Sequence, residues 1–258
     1  MKAISFAAVY VIWLREMKKF IRNKSRIIGN TAMPFFFLAF LGTGLRTSVN
    51  IAGLPAGLNY LDFLAPGIVG MVLLFSSMFA GISVLWDKQF GFLKEIMVAP
   101  VSRVSIVLGR IVAGITTGMI QAVLILMIAV LFLGVHMPDI PGLFYLLAFI
   151  VLISVSFVGL GISFASRMRD MHGFQLIMNF LIMPLFLLSG AFFTITSLPG
   201  WLSALAHINP LMYGVDGLRT ALIGFGQLPI IIDFAVLLAF AVAMISLGTY
   251  LFKKTEIY

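Results

Sequence analysis

The chain has 258 residues, 62% of them hydrophobic and only 10% charged, with a mean hydropathy of +1.14. Soluble domains are about 45–50% apolar and about 25% charged, so this is the sequence of an integral membrane protein. A net charge of +8 does not make it a soluble nucleic-acid binder, which would not share this hydropathy, and the lack of cysteine excludes disulfides, thiolate metal sites and a cysteine nucleophile. Continuous apolar runs near the ~20 residues that cross ~30 Å of hydrocarbon predict helices, because barrel strands would alternate instead. The expected fold class is therefore all-α, a polytopic membrane protein of about six transmembrane helices.

Residues 1–26 come first. They are studded with charge and have no apolar stretch after a short basic start, so they read as retained rather than as a cleavable signal. Wound at roughly 100° per residue, Phe6, Val9, Tyr10, Trp13, Met17, Phe20 and Ile21 share one side. Arg15, Lys18, Lys19 and Arg22 fall opposite. The pattern suits an amphipathic interfacial helix with Trp13 at the headgroup level and its basic face toward anionic lipid. A helix packed on soluble protein would share that pattern.

Residues 27–258 read as one transmembrane domain with spans at about 27–45, 64–85, 104–133, 143–165, 174–194 and 230–252. Pro34 is placed to kink the first, and the first turns of the third, including Arg110, are expected to project into the cytoplasm. Between the second and third lies Trp86–Arg103, where Asp87, Lys88, Lys94, Glu95 and Arg103 interrupt the oily sequence. Each such charge at mid-bilayer would cost about 2.5–3.5 kcal/mol, so this segment lies outside the hydrocarbon. Asp87 is placed to cap a helix start and Pro100 to end it, with Phe90, Leu93, Ile96 and Met97 on one face. A short amphipathic helix at the membrane surface is a docking element for another chain; a solvated loop is the plainer reading.

Basic residues set the orientation. With the N-terminus inside, all but two of the 17 fall on cytoplasmic parts, leaving Arg46 and Arg219 outside. Both termini are then cytoplasmic. The external connection Ile195–Pro229 is too polar to span and too greasy for a free loop, which predicts short helices dipping into the outer leaflet before the last span.

Several chemistries have no residues to carry them. No Gly-Lys pair exists for a phosphate-binding loop, so ATP hydrolysis would have to occur on another polypeptide, and no catalytic residue is assigned. His136, His172 and His207 fall on opposite sides of the membrane and form no metal site. Asp62, Asp139, Asp216 and Asp233 are expected at or outside the external surface, leaving no mid-bilayer carboxylate of the kind ion-coupled carriers use. Gln121 and Asn179 either line a substrate route or hydrogen-bond between helices. Gly114 and Gly118 form a small-residue face for close helix packing, a surface that a second copy could use.

The run Gly91-Phe92-Leu93-Lys94-Glu95, followed by Val98-Ala99-Pro100-Val101-Ser102-Arg103 and Leu108-Gly109-Arg110, resembles the cytoplasmic coupling segment of type-2 ABC permeases. These are the membrane halves of ATP-binding cassette exporters, and the run looks most like their daunorubicin-type drug-resistance branch. A second stretch is similar to the sequence before their last helix: Pro199-Gly200-Trp201-Leu202, Asn209-Pro210-Leu211-Met212-Tyr213 and Asp216-Gly217-Leu218-Arg219. The resemblance implies a permease subunit whose coupling helix uses Asp87, Gly91, Lys94, Glu95, Pro100 and Arg103. It implies an ABC ATPase partner carrying ATP and Mg, and a second permease copy, identical or related. The setting would be the lipid bilayer of the plasma or inner membrane, with a drug, lipid or polysaccharide as cargo and no role for nucleic acid. A membrane scaffold or sensor that recruits a cytoplasmic partner is the alternative, and a secondary carrier a third.

Overall fold

A computed structural model describes residues 4–46, 48–49, 51, 53–98, 101–168 and 170–254, without the side chains of Arg26, Leu93, Lys94 and Met97. Helix α1 (Phe6–Arg22) starts where the Ser5 hydroxyl accepts the Ala8 N–H, and it lies along the start of α5 (Arg103–Leu133). Ile12, Met17 and Phe20 are buried there, while Phe6, Tyr10 and Ile21 stay exposed as an apolar edge. Arg15 and Lys19 turn inward, so the basic face predicted to meet lipid is divided: Lys18 and Arg22 are exposed, and the other two serve the protein interior.

The first predicted span arrives in two pieces. Helix α2 (Lys24–Phe36) contains Pro34, which cannot donate to the helical ladder, and the chain widens into a π-helical stretch at Phe37–Gly42. Helix α3 (Tyr60–Gln89) is the centre of the molecule. Its N-terminus is closed by a reciprocal cap in which Asn59 accepts from Leu61 and Asp62 accepts from the Asn59 N–H. It is apolar on every side and buried along most of its length, as a helix enclosed by α5, α6 (Ile140–Arg167), α7 (Met171–Leu187) and α9 (Pro210–Ile223) must be. The helix α4 (Phe92–Val98) links α3 to α5, α8 (Gly200–Ile208) precedes α9, and α10 (Ile230–Lys253) closes the described chain.

Glycines bring the helix axes together. A Cβ at Gly81 of α3 would stand 2.8 Å from the Gly161 carbonyl oxygen of α6. Gly114 lies against Val158 and Gly118 against Ser154, so the small-residue face of α5 is occupied by α6 of the same chain rather than left for a second copy. Among the described residues four helices, α3, α5, α6 and α10, are long and apolar enough to cross a membrane; Ile27–Gly42 and α7 are shorter apolar helices. The span expected to reach residue 194 stops at Leu187, soon after Pro184, and the chain turns at Gly190 with φ of +73°.

Candidate functional site

The docking segment is built differently from its sequence expectation. Asp87 does not start a helix: α3 runs through it to Gln89, Phe90 ends the helix, and Gly91 turns the chain at φ of +75°. Only then does α4 begin, with seven residues. Phe90 therefore does not share a helical face with Ile96. Phe90 and Val98 are 81% and 86% exposed and Glu95 is exposed, so a short, partly apolar element with an acidic residue projects from the end of α3. Lys94 lies in α4 with its side chain undescribed, and Pro100 lies outside the described residues.

Behind this element Asp87 is buried at the hub of an ionic cluster. Arg15 grips it with two parallel bonds of 2.7 and 2.8 Å, Lys19 reaches it at 3.2 Å and Arg110 at 2.5 Å. A second acid, Glu16, meets Arg15 and Lys19 and accepts from the Ser83 hydroxyl at 2.9 Å. The cluster thus joins α1, α3 and α5. Burial works against the charge of Arg15, but the bond to Asp87 and the fields of Asp87 and Glu16 outweigh it and hold the guanidinium above its ordinary value. Arg15 also stacks over the Phe92 ring, 3.7 Å from its centre, which places α1 against the first residue of α4. A cavity of about 20 Å³ beside Glu16, Ser83, Arg110 and Thr117 has room for one water.

The remaining candidates are dispersed. Gln121 is fully buried in α5, and its amide has no hydrogen-bond partner among the described residues. Asn179 is exposed on α7, so the two polar residues face different surroundings. Along α7, Gln175, Leu176, Asn179, Phe180, Met183 and Leu187 form one exposed stripe, and an apolar groove of about 320 Å³ lies between α7 and α8. No cluster of three metal-ligating side chains occurs among the described residues.

At the other end of the bundle the carboxylates expected outside are largely buried. Asp62 accepts from both the main chain and the ring of His136 at 3.0 and 2.9 Å. Arg219, counted as an external charge from sequence, is 1% exposed. It donates to the carbonyls of Phe63 and Gly190 at 3.3 and 2.7 Å and lies over the Phe63 ring at 3.8 Å. Asp216 accepts from the Gln227 and Leu228 main chain, and Asn209 caps α9 while donating to the Leu185 carbonyl. Asp233 is also buried, in the first turn of α10. Sequence reasoning missed the roles of Arg15, Glu16 and Arg219. For Arg219 the available signal was a charge inside a largely apolar stretch, which only a buried partner makes tolerable, whereas Arg15 and Glu16 lie in a charge-rich segment that gives no such signal.

Residues 7–223 match the family described as ABC-2 type transporter. The chain is 26% identical over 246 residues to the inner membrane transport permease YadH of Escherichia coli K12, covering 94% of this chain and 93% of that protein. It is 27% identical over 230 residues to Nodulation protein J of Rhizobium meliloti strain 1021, covering 88% of this chain and 86% of that protein.

Proposed function

Because the chain belongs to the ABC-2 type transporter family and is a transmembrane permease subunit of an ABC transporter, we propose that α4 receives a separate ATPase subunit and that two permease subunits enclose the route. The observation that carries this reading is the exposed α4 with Glu95, set on a buried ionic cluster that ties it to three helices. An apolar patch such as Phe90 and Val98 gives adhesion, whereas a charge such as Glu95 fixes register against a basic residue of the partner. ATP and Mg belong to that partner. Asp87 acts behind the contact, as the hub that keeps α4 in place.

In this reading Ile27–Gly42, α3, α5, α6, α7 and α10 are the six spans, α8 and α9 are re-entrant elements on the outer side, and both termini are cytoplasmic. The exposed stripe of α7 and the groove beside α8 support pairing there with a second copy or a related permease, which would set Gln175 and Asn179 along the route. The coupling motif supports the daunorubicin-type branch. The test is affinity purification of the tagged chain from its native membrane. A P-loop ATPase is expected to co-purify with it and to be lost on Glu95→Ala with Val98→Asp. Functional export by the permease without any ATPase would overturn the reading.

A further inference from the structure

Two cations that flank α4 cap helices to which they are not joined in the chain. Lys88 Nζ, in the last turn of α3, donates to the carbonyls of Met168 at 2.9 Å and Ser166 at 3.4 Å, which close α6. Arg103, the first residue of α5, donates to the carbonyl of Lys253, the last residue of α10. The final carbonyls of an α-helix have no partner within the helix and carry its negative dipole end, so a cation there is held by charge and hydrogen bond together. The two capped helices are also locked to each other. A Cβ on Gly159 would stand 3.0 Å from the Met244 carbonyl carbon, and one on Gly248 would stand 3.1 Å from the Gly159 oxygen. With their backbones in contact, α6 and α10 pack as one close pair.

The docking element is therefore tied to α3 and α5 by peptide bonds and to the α6–α10 pair by Lys88 and Arg103. We propose that Lys88 and Arg103 are positioning residues that carry a displacement of α4 directly into the α6–α10 pair. This rests on the reading of α4 as the ATPase contact.

The absence of native cysteine allows a spin label at Phe144→Cys, an exposed site near the end of α6 remote from Met168. The permease–ATPase complex is reconstituted in lipid nanodiscs, and the label distance between the two permease subunits is measured with and without ATP and vanadate. The distance is expected to shift in the otherwise native complex. Lys88→Met and Arg103→Met, made separately and together, are expected to lose the shift while keeping ATPase association and hydrolysis; Lys88→Arg keeps it. Lys18→Met, at an exposed cation of α1, leaves the shift intact. A full shift in the double variant overturns the proposal, and so does an equal loss in Lys18→Met. Loss of ATPase association in the Met variants also overturns it, because Lys88 and Arg103 would then be docking residues. An unaltered complex that holds its ATPase by a surface other than α4 overturns the docking reading instead.

Discussion

Neutralising Asp87 leaves Arg15, Lys19 and Arg110 facing one another, with Glu16 as the acid that remains among the described residues of the cluster. Breaking a buried pair costs more than the pair contributes, because the stranded cations stay desolvated. Asp87→Asn is expected to destabilise the protein by about 3 kcal/mol in thermal unfolding measured in nanodiscs. Adding Arg110→Gln should restore part of that loss. Lys19→Ala, at a side chain 39% exposed, should cost less than ~1 kcal/mol. Glu95 carries the opposite expectation. Its exposure predicts that Glu95→Ala leaves membrane abundance unchanged while lowering ATPase recovery in co-purification. Lys18→Ala is the appropriate comparison for that experiment. Lys88, which composition alone marks as an ordinary surface charge, caps α6 instead.

Among the elements, the glycines Gly81 and Gly91 do different work. Gly81 sits where α3 and α6 touch, and a methyl there would meet the Phe174 ring at 2.7 Å and the Gly161 backbone. Gly81→Ala is expected to cost about 1–3 kcal/mol, read as a lowered unfolding midpoint. Gly91 has open space around it but a positive φ, so Gly91→Ala strains the turn by about 1–2 kcal/mol and re-aims α4. Its effect should appear in ATPase recovery more than in global unfolding. The long apolar runs made α3, α5, α6 and α10 legible from sequence, because hydropathy sums over many residues and tolerates local error. The end of α3 was misread because Asp87 has the residue type of an N-cap, and its actual partners, Arg15 and Arg110, lie 72 and 23 positions away. Burial of Arg219 was hidden for a related reason: beside Asp216, three positions away, its partners are main-chain carbonyls, which every residue possesses.

At the scale of the molecule, the proposed topology puts the Gly91 turn inside and the α5–α6 connection outside. In this otherwise cysteine-free chain, Phe90→Cys should react with an impermeant maleimide only after the cells are permeabilised, and Met137→Cys should react in intact cells; both side chains are largely exposed. Reaction of Phe90→Cys in intact cells would invert the arrangement. The Arg219 bridge carries a further consequence, one of timing. Phe63 leaves the ribosome 156 residues before the arginine that fastens it. Synthesis runs from the N-terminus, so α3 enters the bilayer as one of the earlier helices and gains its Asp62–His136 contact before α9, while the Phe63 carbonyl waits for Arg219 until α9 emerges. A chain truncated before Asn209 should insert α3 yet leave the region around Phe63 open to protease. One anchor of the innermost helix is thereby among the last to form, and the nascent chain depends for that interval on whatever shields unfinished helices in the membrane.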